Sequence, residues 1–183
     1  MSDQVVNPVD VLDFWWQAGP SKWFASSDDF DAQIAERFLP SIEAAKEGRL
    51  DDWSETPHGA LALIILLDQF TRNVYRGSAR AFDADPLARS HADKAVNQGF
   101  DKAFPIDSRA FFYLPFEHAE DIALQERSVD LFRVLGNREF YTYALEHMDV
   151  IRRFGRFPHR NKVMDRKSTD EEIRFLENGG FSA

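Results

Sequence analysis

There is no cysteine among the 183 residues. Disulfides, thiolate nucleophiles and Cys-ligated metals are thereby excluded. Long apolar runs are missing too. The longest, ALALIILL at 60–67, has eight residues, whereas a bilayer span takes about 20, so no membrane partner is expected. The opening MSDQVVNPVDVLDFWW has no basic stretch ahead of an apolar one. No secretory signal is expected from it, and the cytoplasm is the expected setting. Positive charge is in deficit: 22 Lys+Arg stand against 31 Asp+Glu, for a net charge of −9. A nucleic-acid binder usually shows the opposite excess, so nucleic acid is not an expected partner. No Gly-x-Ser-x-Gly elbow and no Gly-rich phosphate fingerprint occurs. Nucleotide-dependent chemistry and cofactors are therefore not expected.

Aromatic residues are plentiful, with 17 Phe and four Trp in a chain that is 44% apolar. Large rings bury much area each, and the length suits a single domain, 1–183, with its own core. No segment alternates polar and apolar residues over a strand length, and no low-complexity or linker tract occurs. Helix signals recur instead. Asn7-Pro8 opens a helix that Gly19 stops. Ser27 caps a second, kinked at Pro40 and ended by Gly48. Thr56-Pro57 opens a third and Asp85-Pro86 a fourth. Asp107 or Ser108 caps a fifth, RAFFYLPFEHAEDIALQE, kinked at Pro115. RSVDLFRVLG is a sixth, and REFYTYALEHMDVIRRF is a seventh that ends at Gly155. Ser168 and Glu171 form a capping box for a short last helix. The expectation is an all-α fold of about eight short helices stacked as antiparallel hairpins.

Charge is unevenly spread. Between 152 and 167 seven Lys/Arg face one acid, and between 69 and 82 three Arg face none. The all-apolar run at 60–67 leads directly into Asp68, Gln69, Phe70, Thr71, Arg72 and Asn73. Five residues of helix advance only about 7.5 Å, so these polar groups should sit at or just below the surface. Asp68 and Arg72, four apart, can pair with each other, or Arg72 can face a ligand. In GRFPHRN, Gly155 can end the helix in a left-handed conformation and Pro158 fixes the next turn. Phe157 reads as an anchor in the core. Arg156, His159, Arg160 and Asn161 then stand on a rigid loop, where a guanidinium fork suits a carboxylate or phosphate. The same arginines could equally neutralise helix ends and nearby acids. His118 lies beside Glu117, Glu120 and Asp121, but a Glu-x-x-His spacing is absent, so no metal site is expected.

The strings LDQFTRNVYRG, LPFEHAE, and RFGRFPHRN followed by RKSTDEE resemble a bacterial family known as domain of unknown function 924. The likeness runs in the same order along almost the whole chain. It implies a tetratricopeptide-repeat-like helical fold without that repeat's sequence pattern, and it implies no activity. Where the family usually carries Leu-Gly-Arg, this chain has Met164-Asp165-Arg166. A different backbone path after Asn161 is expected from that change.

The leading functional expectation is a pocket for a small anionic ligand, phosphate or carboxylate. Gln69, Arg72 and Asn73 would line it with Arg156, His159, Arg160 and Asn161, next to His118. A helical module that binds a peptide is one alternative. An acid–base enzyme using His118 or His159, oriented by Asp68, is another.

Overall fold

Asn7 caps α1 (Pro8–Ala18) in a reciprocal box with Asp10. That first signal sets the pattern: in this computed structural model, which describes residues 4–181, every regular element among the described residues is helical. Two compact units, Met1–Pro115 and Phe116–Ala183, are described in turn.

In the first unit a single turn, α2 (Pro20–Trp23), follows α1. Ser27 caps α3 (Asp28–Lys46), whose first turn carries Asp28, Asp29 and Asp31 where the helix dipole favours them. The helix runs through Pro40. Thr56 caps α4 (Pro57–Ile64). A Cβ on Gly59 would lie 2.2 Å from the Trp53 carbonyl oxygen, so only glycine admits this close approach. The α-helix then widens into a π-helical turn, Ile65–Phe70, and resumes as α5 (Thr71–Val74). Farther on come α6 (Asp85–Asn97) and α7 (Ile106–Arg109), and α8 (Leu114–Glu117) begins at the end of this unit. The core collects Trp15, Phe38, Phe70, Phe111 and Phe112, all fully buried. Edge-to-face contacts link Trp15 to Phe70 and to Phe111 at about 5.5 Å, the geometry that ring quadrupoles favour.

In the second unit Asp121 caps α9 (Ile122–Leu135) and Asn137 caps α10 (Arg138–Phe154). These two helices pack on each other across the link Gly136-Asn137. Gly155 ends α10 at φ 69°, as the sequence predicts. Phe157 is fully buried against Val150 and Ile151, with Phe154, Phe175 and Phe181 around them. The last helix is α11 (Asp170–Glu177).

Two local expectations are corrected. The long fifth helix is broken: after α8 residues 118–121 leave the helical path, and 122–126 join α9, which Asp121 caps. Its start is at Ile106, with Pro105 rather than Asp107 or Ser108 at the cap. The final capping box is Thr169 with Glu172, one residue later than read. The Ser168 hydroxyl is occupied by Asn161 instead. After Asn161 the chain makes a left-handed turn without glycine: Asp165 adopts φ 52°. Asp tolerates that region better than most residues. The turn is closed by Arg166 N–H donating to the Asn161 carbonyl at 2.8 Å.

Candidate functional site

In the first unit the apolar α4 delivers Asp68, Gln69 and Thr71 into the interior, deeper than expected, because the π turn lies within the core. Asp68 is 1% exposed. Gln69 donates to its carboxylate at 2.5 Å, and the Thr71 hydroxyl donates to the Leu67 carbonyl at 2.9 Å. Arg72 grips Asp85 with both arms, at 2.9 and 3.1 Å. It also donates to the Asp68 carbonyl oxygen at 2.5 Å and lies 3.3 Å from the Asp68 carboxylate. Burial alone would lower the Arg72 pKa, but Asp68 and Asp85 outweigh it, so the guanidinium stays charged. Asn73 and Arg76 both donate to Asp31, at 2.7 Å and at 2.6 and 3.0 Å. Burial would raise the Asp31 pKa, yet these donors hold it down. Arg80 stacks over Tyr75 and approaches Glu43 at 3.6 Å. Each arginine of the 69–82 patch thus faces an internal carboxylate, which is the pairing alternative read from the Asp68–Arg72 spacing.

The second unit separates its cations into two kinds. Arg156 clasps Glu172 at 2.6 and 2.9 Å, and Asn161 donates to Glu172 and to Ser168. Those bonds pull the Glu172 pKa down to about 2. Arg166 clasps Glu120 at 2.5 and 2.9 Å, and Glu120 also accepts from the Phe157 backbone N–H. These arginines tie the 156–172 segment together.

Arg160 does something different. It is 7% exposed, donates to the His118 carbonyl at 3.0 Å, and lies over the Phe157 ring at 4.5 Å. Three imidazoles gather around it. His147 lies 6.3 Å from His118 and 5.6 Å from Phe157, and His159 lies 5.6 Å from Phe157 (ring centroids). His147 Nδ1 contacts the Tyr143 carbonyl at 2.8 Å, which fixes the proton on Nδ1 and leaves Nε2 as an acceptor. The Glu117 carboxylate is 3.4 Å from that same Nδ1. Its negative charge favours the imidazolium, but burial dominates. Burial, with Arg160, His118 and His159 adding positive repulsion, holds the His147 pKa down to about 3. His159 is held down to about 4, by burial first and Arg160 second. The cluster joins the Arg160 guanidinium to three histidine rings, with the Glu117 carboxylate beside His147. Among the described residues no group of three or more His, Asp or Glu is placed to hold a metal ion.

Of the residues read from sequence, His118, His159 and Arg160 come together here. Arg156 and Asn161 stand at Glu172, and Gln69, Arg72 and Asn73 lie in the first unit. His147, Glu117 and Phe181 were missed. His147 had a legible signal: a histidine on the buried stripe of α10 formed by Ala144, Met148 and Ile151. Glu117 carried a weaker one, since its burial follows from the unforeseen helix break after it.

A bacterial family of unknown function, DUF924, matches residues 11–180. Among solved structures, a protein of unknown function from Agrobacterium tumefaciens is similar at 49% identity. The match covers 94% of this chain and 97% of that one, with a TM-score of 0.91. No curated protein matches.

Proposed function

The chain belongs to this bacterial family of unknown function, and we propose that its second unit binds a small anion, a carboxylate or phosphate, at the niche of His118, His147, His159 and Arg160. The observation that supports the reading is the Arg160 guanidinium set among the rings of His118, His147 and His159, of which burial keeps His147 and His159 neutral. A bound anion would attract the Arg160 guanidinium and favour the protonated forms of His147 and His159.

A ligand that binds only the folded state raises the melting temperature by mass action. Sulfate or a dicarboxylate is expected to raise it more than chloride does at equal ionic strength, and Arg160→Gln is expected to remove that difference while leaving the helical circular dichroism intact. Equal stabilisation by sulfate and chloride in the parent protein would overturn the reading.

A further inference from the structure

We propose that the outer face of α10 is a self-association surface. A second copy of this chain stacks its own α10 on it antiparallel, so that Arg138 of each copy meets Glu146 of the other. The proposal is independent of the anion reading and draws on neither Arg160 nor the histidines.

An open groove of about 500 Å³ lies over this face, lined by Arg138, Glu139, Thr142, Tyr143 and Glu146. These side chains fall on one side of the helix, as positions four apart do. Tyr143 stands near the middle of the stretch and is 48% exposed.

The charges at the two ends of the groove are unmatched within the chain. Arg138 and Glu146 are both exposed, and among the described residues neither forms an ion pair or a side-chain hydrogen bond. By contrast, Arg133, Arg152 and Arg153 of the same two helices each approach an acid, at 2.9, 3.7 and 3.8 Å. Arg138 and Glu146 cannot meet within one helix, since eight residues separate them by about 12 Å along the axis. No acid stands three or four places after Arg138, and no base stands three or four places from Glu146. Arg138 also occupies the first position of α10, the end at which the helix dipole disfavours a cation.

A twofold axis answers all of this at once. Along the stripe, positions 138, 142 and 146 read basic, neutral and acidic, so the reverse of the stripe is its complement. Thr142 lies midway, and an antiparallel copy centred there forms the Arg138–Glu146 pair twice. Each pair sets an acid at the positive end of an α10 helix. The two Tyr143 rings come to lie close to the axis, where aromatic residues are favoured at an interface. A contact through one helix face is small, and small interfaces are weak. A dimer that dissociates on dilution is therefore expected.

Sedimentation equilibrium of the full chain tests this, in about 0.15 M salt so that only close charge pairs act. The parent is expected to pass from 21.1 kDa toward twice that mass as its concentration rises. Arg138→Glu or Glu146→Arg alone sets like charges opposite each other and is expected to weaken the dimer about tenfold or more. An equimolar mixture of the two single variants brings opposite charges together at both contacts. That mixture, and the double variant R138E/E146R, are expected to associate about as tightly as the parent. Helical circular dichroism checks that each variant is folded. A parent that stays at 21.1 kDa up to about millimolar concentration overturns the proposal. So does a dimer that the single reversals leave unchanged, or one that neither the mixture nor the double variant restores, because its contact then lies elsewhere.

Discussion

Gly155 shows how much a single residue settles. It sits at φ 69° with open space around its Cα, so what a side chain would meet there is backbone strain and not a clash. Its N–H closes α10 by donating to the Ile151 carbonyl at 2.8 Å, and the turn aims Phe157 into the core. Gly155→Val is expected to lose about 1–3 kcal/mol, because a β-branched residue resists positive φ. Urea unfolding measures this, and a midpoint equal to the parent's would contradict the account. Residue-scale features of this sort were legible because they are local. Caps, stops and the anchor Phe157 depend on neighbours in sequence. His147 and Phe181 are not legible as neighbours, since the rings they meet lie 10 to 34 positions away.

At the scale of elements, the π turn between α4 and α5 decides what the polar run after 60–67 can do. The wider turn lies within the core and holds Asp68, Gln69 and Thr71 there, where every polar group needs a partner. Arg72 serves two acids there, Asp68 at 1% and Asp85 at 13% side-chain exposure. Arg72→Leu would leave both carboxylates without their cation and is expected to cost about 3–5 kcal/mol. Chemical denaturation tests this, and a loss below about 0.5 kcal/mol would show that the pair is ornamental. The Asp68–Arg72 spacing announced the pairing, but nothing in the sequence marked the π turn, whose pattern is that of an ordinary apolar helix. The broken fifth helix is a second case. Pro115 was read as a kink, yet the Asp121 cap was strong enough to start α9 afresh, so two weak helix signals became separate helices.

For the molecule as a whole, the net charge of −9 says less than its distribution. Positive charge concentrated in two stretches is mostly spent on internal carboxylates, and among the described residues no helix is long and apolar enough to cross a membrane. The all-α class was legible from helix periodicity and punctuation. The niche was legible only in part, through His118, His159 and Arg160. Its central claim concerns charge, so it is tested most directly by titrating the imidazoles. Both His147 and His159 have folded pKa values below the ordinary 6.5, at about 3 and about 4. Their neutral burial contributes stability that is fully present above about pH 6.5 and is lost as pH falls through the folded values. An anion bound beside Arg160 favours the imidazolium and must move both values upward. Nitrogen-15 NMR of the histidine rings, recorded from pH 3 to 8 in sulfate and in chloride at equal ionic strength, measures this. The account predicts a rise of about one unit or more in sulfate for His147 and His159, equivalent to about 1.4 kcal/mol of interaction. Identical titration curves in the two salts would contradict it.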